Sequence, residues 1–81
     1  MILNFFTDAG HGWLEVEHKE LVKMGLDRSM SHYSYSRLEM AYLEEDCDAG
    51  KYLNKLKELG ISYSFNEIFH EDSPVRNYSP Y

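Results

Sequence analysis

The sequence predicts an α+β fold: a mostly antiparallel sheet of about five strands in the order β-β-α-β-β-α-β, with two helices on one face. Three observations predict it. Short stretches of period-two alternation recur along the chain. Two other stretches switch to helical period, and each ends in a glycine followed by an apolar residue, Gly25-Leu26 and Gly60-Ile61. Hairpins mixed with helices, rather than strict strand–helix alternation, favour an antiparallel sheet with its helices segregated to one side.

Ile2 to Thr7 is apolar and aromatic and short enough for a strand. Asp8-Ala9-Gly10-His11-Gly12 supplies turn residues. Trp13 to Glu17 then alternates, with Leu14 and Val16 on one face and Trp13, Glu15 and Glu17 on the other, which completes a β-hairpin. From His18 to Met24 the period changes. Leu21 and Val22 share a side while Lys19, Glu20 and Lys23 stay wet, so a helix of about two turns is expected, held by tertiary packing.

Asp27 to Ser31 is a polar connection. His32 to Ser36 reads as a strand with Tyr33 and Tyr35 on one face. Met40 to Glu45 reads as another, with Ala41 and Leu43 facing one way and Met40, Tyr42 and Glu44 the other. Arg37, Leu38 and Glu39 form the turn between them, without a glycine. Asp46 and Asp48 are candidate N-caps of the second helix, where carboxylates suit the dipole. Ala49, Tyr52, Leu53, Leu56 and Leu59 form its apolar stripe. Ile61 to Phe69 alternates again as a last strand. From about residue 70 the tail holds both prolines and few aliphatics, and is expected to be irregular, pinned by Tyr78 and Tyr81. Residues 1–81 thus form a single domain.

A chain of 81 residues has no room for separate cofactor and substrate domains. Fourteen acidic and eight basic side chains give a net charge of −6, which argues against a general phosphate-backbone binder. An aromatic content of 15% excludes a disordered acidic tail. The lone cysteine, Cys47, forbids an internal disulfide, so a reducing cytoplasm is the expected compartment. No signal peptide and no apolar run of ~20 residues is visible, so no membrane association is expected.

Two helices cover one side of a sheet. The other side is expected to show Trp13, Glu15, Glu17, Tyr33, Tyr35, Tyr42 and Glu44 to water, a surface both aromatic and acidic. It runs into Glu44-Glu45-Asp46-Cys47-Asp48, four carboxylates in five residues. Rings bring contact area at small entropic cost, and carboxylates select a basic partner. The same residues also suit a wet strand face and a helix start. Base stacking would need a basic groove, so no direct nucleic-acid contact is expected.

Asp8, His11, His18, His32, His70 and Cys47 form no CxxC or HExxH spacing, and the acidic run lacks EF-hand spacing, so no metal or cofactor is expected. Asp8 with His11 in a glycine loop is the candidate acid–base pair, although an Asp capping its own turn also accounts for it. Cys47 at a helix start reads either as a nucleophile or as a small buried apolar residue.

Thr7-Asp8-Ala9-Gly10-His11-Gly12-Trp13-Leu14-Glu15-Val16, Tyr33-Ser34-Tyr35, and Tyr42-Leu43-Glu44-Glu45-Asp46-Cys47-Asp48-Ala49 together resemble a group of small, mostly uncharacterised proteins of phages, prophages and mobile elements, over about residues 5 to 61. The resemblance implies an accessory protein acting in a bacterial host and carries over no catalytic residues. The resulting expectation is a non-enzymatic binding protein that inhibits a host nucleic-acid-handling defence complex, of anti-CRISPR or anti-restriction type. Its partner would be a basic host protein or nucleoprotein complex. Trp13, Tyr33, Tyr35 and Tyr42 would be anchors, and Glu15, Glu17, Glu44, Glu45, Asp46 and Asp48 would supply charge. The alternatives are a small hydrolase or metal-dependent protein using Asp8, His11 and nearby carboxylates, and a homodimeric accessory protein whose aromatic face is its self-contact.

Overall fold

The period-two stretches at the N-terminus fold as the expected hairpin, β1 (Ile2–Thr7) and β2 (Gly12–Glu17), in the computed structural model, which describes residues 1–81. Helix α1 (His18–Lys23) follows directly. Next come β3 (Tyr35–Arg37), β4 (Met40–Glu44), α2 (Asp48–Glu58), β5 (Ser64–Phe69) and a two-residue β6 (Ser79–Pro80). The fold is α+β, and the sheet has six strands in the order β5-β1-β2-β4-β3-β6. No helix is long and apolar enough to cross a membrane.

Both helices end as their glycines predict. Gly25 and Gly60 take φ of 72° and 71°, and Leu26 and Ile61 donate back to the carbonyls of Leu21 and Leu56 at 2.8 and 2.9 Å. The helix stripes then meet one face of the sheet: Leu3, Leu14, Val16, Ala41 and Leu43 pack against Leu21, Ala49, Tyr52 and Leu56.

Three expectations about the strands are corrected. The sheet is mixed, because β5 lies parallel to β1. Helix α2 carries the chain from β4 across the helical face to the far edge, and such a crossover delivers a parallel strand. The expected strand His32–Ser36 begins only at Tyr35; Ser31 to Ser34 form a turn that places Tyr33 off the sheet. The expected last strand, Ile61 to Phe69, begins only at Ser64, while the turn between β3 and β4 forms where expected, with Leu38 at a positive φ of 54°.

The largest correction concerns the face opposite the helices. Apart from Tyr33 its residues are the expected ones, but its centre is not open to water. Trp13 is 2% exposed and Tyr42 6%, and both pack with the fully buried Val75. The tail covers them. Ser73 caps a short 3₁₀ turn over Pro74–Asn77, with its hydroxyl accepting from the Val75 N–H. Tyr78 then stacks against Tyr42 at 4.9 Å, and β6 pairs with β3. Tyr81 rounds the sheet edge, donates its N–H to the Ser34 carbonyl at 2.8 Å and packs against the helix-side core. Tyr78 and Tyr81 pin the tail, but the product is a third layer, with apolar and aromatic contacts concentrated in a few residues.

Shortening Val75 tests that layer. Val75→Ala is expected to cost about 2 kcal/mol, to lower Tm by roughly 10 °C, and to shift Trp13 emission to longer wavelength as water reaches the indole. Unchanged emission and stability would mean that the tail does not seal Trp13 in solution.

Candidate functional site

The loop between β1 and β2 is organised by its own aspartate. Asp8 Oδ1 accepts the N–H groups of Gly10 and His11, each at 2.9 Å, and the Asp8 N–H reaches the His11 carbonyl at 2.9 Å. The same carboxylate is gripped by Arg76 of the tail, through Nε to Oδ2 and Nη2 to Oδ1. Arg76 holds the Asp8 carboxyl well below the usual carboxylate range, although burial opposes this. Asp8 is therefore a loop-fixing residue. It does not pair with the His11 imidazole, so the expected Asp8–His11 acid–base pair is not assembled.

His11 instead turns its ring the other way. Its Nδ1 stands 3.6 Å from Oε1 of Glu44 at the end of β4. Asp46, in the turn between β4 and α2, completes a group whose ligating atoms all lie within 4.8 Å of one another. Asp46 donates its backbone N–H to Glu44 Oε2 at 2.8 Å, which fixes the Glu44 carboxylate and leaves Oε1 toward His11. Glu44 is 9% exposed, whereas His11 and Asp46 are exposed.

These groups line one cleft of about 510 Å³. Trp13, Tyr35 and Tyr33 supply its aromatic lining, and His32, Cys47 and Arg76 also line it. Trp13 is held edge-to-face by Tyr35, with ring centroids 6.2 Å apart at 70°, and Arg76 lies 5.1 Å over its ring. The Trp13 Nε1–H is buried and finds no acceptor. The arrangement combines a rigid aromatic lining, one nearly buried carboxylate and two exposed polar groups. It can hold a cation or a cationic side chain.

The residues expected to bind a partner thus fall into different environments. Trp13, Tyr35, Tyr33, Glu44 and Asp46 share the cleft, with Tyr33 74% exposed. Tyr42 and Glu15 belong to a closed network instead. The Tyr42 hydroxyl donates to Glu15 Oε2 at 3.0 Å, Asn4 donates to Glu15 Oε1, and Asn66 donates to Asn4. Burial, aided by Glu15, pushes the Tyr42 hydroxyl far above its ordinary pKa. Glu17 is exposed at the opposite end of β2, beside Lys19. Glu45 lines a separate groove with Phe5 and Leu53.

Asp48 is fully buried and caps nothing; Cys47 occupies the N-cap position without a side-chain bond. Asp48 Oδ2 accepts from the Ser31 N–H, the Ser31 hydroxyl and the Ser34 hydroxyl, while Oδ1 meets Lys51 Nζ at 3.1 Å. It anchors the loop that carries Tyr33. The acidic run is therefore not a continuous row of charge: two members are buried, and the two exposed ones line different hollows.

Arg76 was not a sequence candidate, since no local motif marks a tail residue that folds back over Trp13. His32 and Cys47 enter the cleft through chain reversals that spacing alone does not encode. The chain matches no protein-family model, no curated protein and no solved structure.

Acid should release the Asp48 anchor. Burial raises its carboxyl pKa, but the bonds from Ser34, Ser31 and Lys51 outweigh this and bring it from 3.8 down to about 2. A depressed folded value means stability present above the unfolded pKa and lost as pH falls from about 4 to about 2, an effect of about 2 kcal/mol. Denaturant unfolding across that range should show the loss. Asp48→Asn should lower stability near neutral pH and flatten part of the acid limb, and a limb identical to that of the unaltered chain would refute the anchor.

Proposed function

We propose that this chain is a non-enzymatic binding protein that docks a basic segment of a partner at the cleft end of the sheet. The observation that carries this reading is Tyr33. Its ring is 74% exposed at a cleft also lined by Trp13 and Tyr35, on a protein of net charge −6. Aromatic rings beside carboxylates suit a guanidinium or ammonium group, through cation–π contact and charge. Glu45 and Asp46 are the members of the acidic run that remain exposed. The partner class we propose is a host nucleic-acid-handling defence complex of CRISPR or restriction type. That part rests on the resemblance to phage and mobile-element proteins. Trp13 acts as a fixed wall here, and Tyr42 and Asp48 act as scaffold.

A second reading, a metal-dependent protein, is favoured by the convergence of His11, Glu44 and Asp46. Asp8, committed to Arg76, takes no part in it. A homodimer through the aromatic face is disfavoured, because the chain's own tail occupies that face.

Titration of the chain against purified CRISPR and restriction complexes tests the docking reading. Binding should weaken with added salt. Tyr33→Ala should weaken it at least about tenfold, and Glu45→Lys should slow association. Binding indifferent to salt and to both substitutions, or no binding to either complex, would overturn it.

A further inference from the structure

We propose that His11, Glu44 and Asp46 form a binding site for a divalent transition-metal ion of the zinc class, held between the β1–β2 loop and the β4–α2 turn. The inference does not depend on the partner-binding reading.

Distance is the first argument. An ion with nitrogen at about 2.0–2.1 Å and oxygen at about 2.0–2.2 Å in tetrahedral geometry sets those two ligand atoms about 3.4 Å apart. His11 Nδ1 and Glu44 Oε1 are 3.6 Å apart, too far for a good hydrogen bond and close to the spacing of two ligands on one ion. The third group, Asp46, keeps its ligating oxygen within 4.8 Å of both. Its exposed carboxylate has no protein hydrogen bond to break as it closes in.

The second argument is the state of Glu44. Its side chain is about nine-tenths buried, and no lysine or arginine pairs with it. Oε2 accepts from the Asp46 N–H, and Oε1 faces the cleft and the His11 ring, 3.6 Å from Nδ1. A carboxylate largely withdrawn from bulk water, with one oxygen already oriented and the other turned to the cleft beside an imidazole, is placed to face a cation there. Asp48, the other buried member of the acidic run, is the contrast: its oxygens take four hydrogen bonds.

The third argument is preorganisation. The Asp46 N–H orients the Glu44 carboxylate, as outer hydrogen bonds orient metal ligands. Asp8 fixes the backbone of His11, and Arg76 fixes Asp8. The mixed nitrogen and carboxylate-oxygen donor set suits zinc and its first-row neighbours better than calcium, which takes an all-oxygen shell. His32 and Cys47 line the same cleft but lie outside the close group of three, and the cleft leaves room for water or another small ligand at a fourth position.

The test uses the full chain, stripped with a chelator and then titrated with Zn²⁺ against a chromophoric competitor. Saturation at one equivalent is expected. His11→Ala and Asp46→Asn alter exposed side chains that make no hydrogen bonds, so both should fold, and each should weaken Zn²⁺ binding at least about 10- to 100-fold. Glu44→Gln should do the same, with circular dichroism to verify its fold. Glu67→Gln, on the far edge strand, should bind as the unaltered chain does. Absence of saturable Zn²⁺ binding by the unaltered chain would overturn the proposal, as would His11→Ala and Asp46→Asn proteins that bind Zn²⁺ undiminished.

Discussion

Arg76 ties the tail to the sheet, and the rest of the structure depends on that tie. Its guanidinium grips Asp8 in the first loop and lies 5.1 Å over the Trp13 ring, while the adjacent Val75 is completely buried. The ion pair is partly exposed on the Arg76 side and by itself worth little. Its consequence is geometric. Helices of six and eleven residues cover one face of a six-stranded sheet and leave the other needing a cover. Residues 73 to 80 provide it with a single 3₁₀ turn, a two-residue strand and the side chains of Val75 and Tyr78. Seating the tail seals Trp13, and it also brings Arg76 to the cleft in which His11 and Glu44 meet.

Periodicity and glycine placement made the helix-side half of the fold legible. The Gly25-Leu26 and Gly60-Ile61 pairs marked helix ends that form as expected, and the alternation of β2 and β4 assigned every residue to its correct face. What periodicity does not reveal is what lies on a face. Trp13 and Tyr42 alternate as residues on a wet surface would, because burial by a distant tail leaves no local trace. The tail was opaque for a related reason. Val75, Tyr78 and Tyr81 follow no helical or strand period, and their burial arises from three separate contacts. The parallel pairing of β5 with β1 follows from where α2 ends, which is a tertiary fact.

The acidic run shows how the backbone divides one composition among unlike roles. In a strand, successive side chains point to opposite faces. Glu44, the last residue of β4, therefore enters the cleft, while Glu45 lines the hollow against Phe5 and Leu14. The turn then returns Asp46 to the cleft, and the start of α2 buries Asp48 beneath the Ser31–Ser34 loop. The four carboxylates thus divide among three environments, with only Glu44 and Asp46 sharing one, so contiguity in sequence does not by itself make a continuous field.

What separates the two buried members is their complement of donors. Asp48 is matched by two serines and a lysine, so its burial is explained by architecture alone. Glu44 is matched by a single backbone N–H, with a histidine beyond good hydrogen-bond reach. An equally satisfied Glu44 would mark the cleft as a packing feature. Its Oε1 faces His11 across the cleft instead, and the proposed ion site rests on that juxtaposition. The proposed cation, metal ion or partner side chain, would enter at the end of the sheet that Arg76 and Asp8 hold in shape.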